Sequence, residues 1–218
     1  MYNLVYYKIK QNSLKRMSLP TAEIAFTDCH QRLIQAAGEA FREEGYRASI
    51  DRIAERAGVA RQTVYNHFPC KEDLFSEVAR VAADTILVSL DGDGGDIRER
   101  LLRFATAFRQ RLLDDEGLAT FRTLSAEVPR FPALGQAFFD KGPMQTLDHL
   151  TVFITNAMEE GHLRRDDPLF AAETLIGMLM GFEHTRRLFC VSARTSDAEQ
   201  TKVAQIVDCF FRAFAPEK

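Results

Sequence analysis

The side chains of this sequence best suited to recognition chemistry stand together in residues 57–75, "AGVARQTVYNHFPCKEDLF". Arg61, Gln62, Thr63, Tyr65, Asn66 and His67 fall within barely two helical turns, and Lys71 opens the next helix. Placed at roughly 100° per residue, Ala60, Val64 and Phe68 cluster on one side with His67 at its border. The polar residues from Arg61 to Asn66 span the other side. Every outward side chain there can donate a hydrogen bond. Arg suits guanine edges, Gln and Asn suit adenine, and Thr, Tyr and His suit phosphate oxygens. Lys71 adds its charge to the free N–H groups of a helix start, a good phosphate site. A merely solvated face carries Glu or Asp, yet residues 60–71 hold neither, in a chain of net charge -3. This pattern points to nucleic acid.

Other chemistries find little support. Four cysteines (Cys29, Cys70, Cys190, Cys209) show no CxxC spacing, so reduced thiols are expected. The five histidines are scattered, with neither HExxH nor a His/Cys cluster, which argues against a metal site. No nucleophile–base pair and no phosphate loop stand at meaningful spacing, so neither an enzyme nor a cofactor is expected. No apolar run reaches the roughly 18 residues of a membrane span, and the N-terminus lacks the apolar core of a signal peptide. A cytoplasmic protein without a membrane partner is the expectation.

These residues need helices to position them, and nearly everything after residue 27 carries helical periodicity. Leu33, Ile34, Ala37, Ala40 and Phe41 recur at three- and four-residue spacing. Thr27 or Asp28 offers an N-cap, and Gly45 suits a left-handed C-terminus. Ser49 caps a short helix ending at Gly58. A third helix runs from about Ala60 to before Pro69, and a fourth from about Lys71 to Leu90. The glycine-rich run 91–96, "DGDGGD", reads as a linker. Further helices are expected near 97–114, 116–127, 132–141, 143–161, 168–190 and 197–214. No segment alternates with a period of two. Ala54 and Ala57 allow close helix approach, and Gly58 supplies the positive φ of a sharp reversal. The three helices within 28–68 thus form a helix-turn-helix.

With those residues in place, the sequence resembles the TetR family of transcriptional regulators. The carrying signature is "IAERAGVARQTVYNHFPCKEDLF" (53–75): Ile-Ala, then Ala-Gly-Val, Thr-x-Tyr-x-His-Phe and Lys-Glu-x-Leu. The resemblance extends over about 28–90. It implies a recognition helix in the major groove, with Arg61 and Gln62 on bases and Thr63, Tyr65, His67 and Lys71 on phosphates. Asn66 suits either, and Ser49 joins the DNA-binding set. Two departures stand out. Ala60 replaces a frequent Ser, leaving the recognition helix without a side-chain cap. Cys70 occupies a capping position beside Lys71, surroundings that lower a thiol's pKa. More loosely, "TFRTLSAEVPRFPALGQAFFDKGP" (120–143) resembles the ligand domain of the AefR- and AcrR-type branch.

The expected fold is therefore all-α. A basic N-terminal arm (1–27) precedes a three-helix helix-turn-helix domain (28–75), joined by a long helix to a larger ligand-binding and dimerisation domain (76–218). The arm holds Lys8, Lys10, Lys15 and Arg16 against Glu23. It is either a disordered DNA-touching arm or an extension upstream of a natural start at Met17. Phe104, Phe108, Phe121, Glu127, Phe138, Met144, His149 and Met178 are candidate pocket residues, since aromatic, Met and embedded polar groups line ligand cavities. At helical spacing the same apolar residues also suit plain core, and His149 and His184 suit a satisfied interior. Tyr65 and His67 have packed alternatives as well, and Arg186-Arg187 reads as a solvated pair. The helices near 143–161 and 168–190, the latter with Gly177 and Gly181 four apart, are the homodimer candidates. The implied function is sequence-specific binding to a palindromic operator, relieved by a small-molecule effector. The alternative is a helical carrier or enzyme whose N-terminal helices imitate the motif.

Overall fold

The computed structural model describes residues 21–91, 95–191 and 199–216. The expected arm up to residue 20 and the centre of the 91–96 linker lie outside the described residues. The described residues fold into ten α-helices and no strand: α1 (Thr21–Glu44), α2 (Ile50–Ala57), α3 (Arg61–His67), α4 (Lys71–Asp91), α5 (Ile97–Leu113), α6 (Asp115–Glu127), α7 (Pro132–Lys141), α8 (Pro143–Glu159), α9 (Pro168–Leu188) and α10 (Glu199–Ala213). A 3-10 turn, Gly45–Arg47, follows α1, with Gly45 at φ 65°. The first helix begins at Thr21, inside the segment expected to be arm, so Thr27 and Asp28 are helical rather than capping. Elsewhere the boundaries follow local chemistry: Asp96, Asp114 and Asp167 each cap the helix behind them by accepting a backbone N–H.

Two apolar cores hold the chain. In the head, Leu33, Ala37 and Ala40 of α1 pack on Ile53 and Ala54 of α2, Val64 of α3, and Leu74 and Phe75 of α4. That core does not stop at the expected boundary near residue 75, because Leu124 of α6 and Leu134 of α7 are part of it. The second core joins α5, α8, α9 and α10 through Leu101, Phe104, Leu150, Ile154, Leu175, Val207 and Phe210. Ion pairs brace the head from outside: Arg56 of α2 reaches Glu39 at 3.4 Å and Glu43 at 2.5 Å on α1.

One expectation fails in α9. Residues 168–190 do not form a single regular helix: Gly181, at φ 53° and ψ -176°, breaks it, and it ends at Leu188, before Cys190 at φ 56°. The break frees carbonyl groups, and arginines take them up. Arg109, fully buried on α5, donates to the Leu179 carbonyl at 2.5 Å and pairs with Glu199. Arg122 of α6 donates to the Arg187 and Leu188 carbonyls at 2.6 and 3.2 Å, at the second half's C-terminus. Arg187 does the same for α5, donating to Leu113 at 2.9 Å. Arg186 and Arg187 are thus not a solvated pair. Both face buried Glu183, at 3.7 and 3.1 Å, whose carboxylate would be costly to bury without them.

Candidate DNA-contact face and ligand cavity

Helices α2 and α3 meet across Gly58, whose φ of 68° is the left-handed turn that its lack of a Cβ permits. Ser49 caps α2, its Oγ accepting from the Arg52 N–H at 3.1 Å. Ala60 gives α3 no side-chain cap. It is also exposed: the residue has extended dihedrals and precedes the helix, so it leaves the buried side to Val64 and Phe68. Arg61, Gln62 and Asn66 are exposed, while Thr63, Tyr65 and His67 are half-buried. Two i,i+4 contacts order the outward row. Gln62 Nε2 donates to Asn66 Oδ1 at 3.2 Å, and the Arg61 guanidinium lies 5.6 Å from the Tyr65 ring centre. Arg61 also pairs with Asp51 of α2 at 2.9 Å, which orients the guanidinium. The acid-free stretch in sequence therefore borrows an acid from the neighbouring helix, a contact that spacing along the chain does not reveal.

The expected phosphate clamp is more committed to the fold than its residue types suggest. Lys71 Nζ donates to the Tyr46 carbonyl and sits 4.3 Å from the Tyr46 ring centre, and burial pushes its pKa down. The Tyr46 hydroxyl in turn donates to Glu72 at 2.7 Å. His67 lies against α1, 5.6 Å ring to ring from His30, and burial together with His30 lowers its pKa. Cys70 corrects an expectation outright. Its Sγ accepts from the Asp73 N–H at 3.4 Å and donates to Asp73 Oδ2 at 3.2 Å, so it is a weak cap for α4. Its pKa is raised, not lowered. Burial is the largest cause and the Asp73 and Glu72 carboxylates add to it, while Lys71 has turned away to Tyr46.

Between head and body lies a cavity of about 210 Å³. Its walls come from α1 (Gly38, Phe41, Arg42), α4 (Phe75, Val78, Ala79, Ala82, Ala83, Ile86), the α5–α6 corner (Phe108, Arg111, Leu112, Glu116, Gly117, Thr120, Phe121), α7–α8 (Phe138, Gly142, Pro143, Thr146) and α9 (Ile176, Met180). Of the eight candidate pocket residues, Phe108, Phe121 and Phe138 line it. The other five do not. Phe104 is fully buried in the body core, and Met178 packs against that core while Met180 takes the cavity position. Glu127 lies 3.9 Å from Arg47 beside the head, and Met144 and His149 of α8 are half-buried away from the lining. His184 is buried and stacked edge-on to cavity-lining Phe121 at 4.7 Å, and its Nε2 has no hydrogen-bond partner. The contributions of α1 and α4 were not anticipated. Their signal is nonetheless present: a small-residue row (Ala79, Ala82, Ala83) on a long apolar helix leaves room beside it.

Helices α8 and α9, with the residues that follow α9, also expose apolar surface: Val152, Leu169, Phe170, Phe182 (70% exposed), Phe189 (77% exposed) and Val191. Open space lies over both Gly177 and Gly181. Among the described residues no group of three His, Cys, Asp or Glu side chains gathers as a metal site. No described helix is long and apolar enough to cross a membrane.

Comparison with known proteins fits this geometry. Residues 33–78 match the family described as bacterial regulatory proteins, tetR family. Residues 99–216 match the AefR-like transcriptional repressor C-terminal domain. Over 82 residues the chain is 35% identical to the HTH-type transcriptional activator FasR of Mycolicibacterium smegmatis, covering 37% of this chain and only 34% of that protein. An HTH-type transcriptional regulator of Mycobacterium tuberculosis aligns over 190 residues at 24% identity, covering 86% of this chain and 90% of the relative. Among solved structures, one described as a TetR-family regulator from Mesorhizobium loti superposes with a TM-score of 0.71 at 29% identity, covering 87% of this chain and 98% of that one. The flavonoid-responsive regulator FrrA gives 0.68 at 27%, with the same coverage. The matched regions cover the helix-turn-helix and nearly all of the body, and this chain belongs to the TetR family as a DNA-binding regulator of transcription.

Proposed function

We propose that this protein is a homodimeric repressor that holds a palindromic operator through α2 and α3 and releases it when a small molecule fills the cavity between head and body. The observation that carries the DNA reading is the outward row of α3. Its exposed Arg61, Gln62 and Asn66 are donors or amphoteric groups pre-ordered by i,i+4 contacts, which lowers the entropy lost on docking. Arg61 and Gln62 read base edges. Thr63, Tyr65 and His67 hold phosphates, with Ser49 at the start of α2. Lys71 contributes through the ammonium protons that Tyr46 does not use.

A two-fold dimer presents two such helices to successive turns of the major groove, so the operator is palindromic. The exposed apolar face of α8 and α9 is the surface that a second copy covers, since a patch of that character on a soluble chain needs a partner. Effector release follows from the position of the cavity. Its walls include α4, whose first residue follows the recognition helix by a short turn, and α1, whose inner face is the head core. A ligand that fits one head position better than another shifts the equilibrium between them. The protein acts in the cytoplasm beside the DNA it controls.

The test is binding to fragments of the DNA upstream of its own reading frame at several salt concentrations. A palindromic fragment is expected to bind well above random DNA. Arg61→Ala and Gln62→Ala should lose discrimination between operator variants. Thr63→Ala and Tyr65→Phe should weaken all DNA alike with the salt slope unchanged because neither removes a charge, and Lys71→Ala should flatten that slope. If no fragment binds better than random DNA, the regulator reading fails at its root.

A further inference from the structure

Resting on the reading of this cavity as the effector site, we propose that its ligand is a compact hydroxylated aromatic carboxylate, one or two rings in size. Size comes first. The cavity holds about 210 Å³, below the roughly 300 Å³ at which pockets for drug-sized ligands begin. Shape comes second. Phe41, Phe75, Phe108, Phe121 and Phe138 enclose it from five helices, and the alanine row of α4 leaves a flat wall. Ring edges and faces arranged this way favour a planar aromatic guest over a flexible chain.

The polar groups then specify the substituents. Three charged side chains line the cavity. Arg111 is already engaged by Asp114 and Glu116, each at 3.2 Å, and Glu116 is engaged by Arg111 in return. Arg42, exposed at the cavity's edge, makes no ion pair among the described residues, and the adjacent acid, Glu43, is held by Arg56 at 2.5 Å. The cavity therefore offers one uncommitted cation, which calls for an anion. A planar guanidinium takes a carboxylate with two parallel hydrogen bonds.

The two hydroxyls on the wall have given up their protons. Thr120 Oγ1 donates to the Glu116 carbonyl at 2.8 Å, and buried Thr146 Oγ1 donates to the Gly142 carbonyl at 3.2 Å. Each presents only lone pairs to a guest, so the guest supplies an O–H donor. A ring with a carboxylate and a hydroxyl meets both demands. A long acyl chain fails on shape, an amine fails at Arg42, and a neutral three-ring compound fails on size and charge. Because Arg42 and Phe41 belong to α1, the bound carboxylate touches the DNA-binding head itself.

Titration calorimetry on the full chain tests this with four probes: 4-hydroxycinnamate, its methyl ester, unsubstituted cinnamate and the neutral flavanone naringenin. 4-Hydroxycinnamate is expected to bind most tightly of the four. Esterification and Arg42→Gln should each weaken binding by about tenfold, the size of one charge-assisted contact, and should not add when combined. Loss of the ring hydroxyl should cost several-fold in the native chain and little in Thr146→Val. The ligand assignment is overturned if the ester equals the acid, if naringenin binds most tightly, or if no probe binds. Operator binding by the unliganded protein is measured separately. Operator binding with no probe bound sinks the ligand class alone; probe binding with no operator sinks the regulator reading alone.

Discussion

Two glycines four residues apart in α9 should respond to the same substitution with opposite sign. Gly181 sits at φ 53° and ψ -176°, a region open almost only to glycine, and a Cβ there meets nothing within 4 Å. The cost of Gly181→Ala is therefore purely conformational, about 1–3 kcal/mol. If the helix straightens to avoid that cost, the buried Arg109 guanidinium loses the Leu179 carbonyl, which destabilises the chain by a similar amount, about 1–3 kcal/mol. Gly177 lies within the regular part of the helix, again with nothing within 4 Å of its Cβ. Gly177→Ala should stabilise the folded chain by up to about 1 kcal/mol, the helix preference of Ala over Gly. In a domain of this size each kcal/mol moves Tm by about 2–4 °C, so the two variants should separate by roughly 2–16 °C. Thermal unfolding read by circular dichroism, at two protein concentrations to reveal any dimer contribution, measures both. A neutral or stabilising Gly181→Ala would refute the break in α9 and the role given to Arg109. Loss of stability in Gly177→Ala that grows at the higher protein concentration would instead place that Cβ in the contact with a second copy.

Cys70→Ser should raise stability by about 0.5–1 kcal/mol, because a hydroxyl oxygen caps the Asp73 N–H better than sulfur does, read as a shift in the urea midpoint. A variant keeping only Cys70 should react with a disulfide reagent more slowly than free cysteine at neutral pH, since burial and the adjacent carboxylates disfavour the thiolate. His184 is held below its ordinary pKa by burial, so the unfolded chain takes up a proton that the folded chain refuses. Its contribution is intact above about pH 6.5 and is lost as pH falls below it. His184→Leu should make the decline of the urea midpoint between pH 7 and 5 shallower, and an unchanged slope would remove His184 from the account. Gly117→Ala should destabilise by about 1–3 kcal/mol, because the new Cβ would stand 2.1 Å from the Arg111 carbonyl oxygen, a backbone atom with little freedom to yield.

The helix-turn-helix was legible because its determinants are local. Gly58, Ser49, the Val64/Phe68 side and the acid-free row each act through neighbours within about one turn, where sequence spacing and spatial proximity coincide. Even there, the charge partners of the reading face came from other elements. Asp51 approaches Arg61 from α2, and the Tyr46 carbonyl draws Lys71 inward across 25 residues of chain. The expectation for Cys70 failed for the same reason. A lysine is adjacent to the thiol along the chain, but the fold turns that lysine away and leaves two carboxylates. Adjacent position in a helix start does not say which way a long side chain points.

The cavity was less legible for a deeper reason. Phe104 and Phe108, or Met178 and Met180, are indistinguishable by residue type, and a shift of two or four positions along a helix decides between core and cavity. What selects the lining is the gap left where α1 and α4 of the head meet α5 to α9 of the body, and that gap depends on contacts separated by tens of residues. The head core supplies the missing constraint. Leu124 and Leu134 are buried within it, so the head cannot move as a unit detached from α6 and α7. A guest that pushes on Phe41, Phe75 or Phe138 therefore pushes on side chains that belong to, or pack against, the same core that fixes α2 and α3. Coupling between the cavity and the DNA face needs no separate relay: one apolar core borders both, and close-packed cores repack between discrete arrangements rather than deforming smoothly. Under the proposed function, thermodynamic reciprocity requires that whatever factor the ligand takes from operator affinity, the operator takes from ligand affinity.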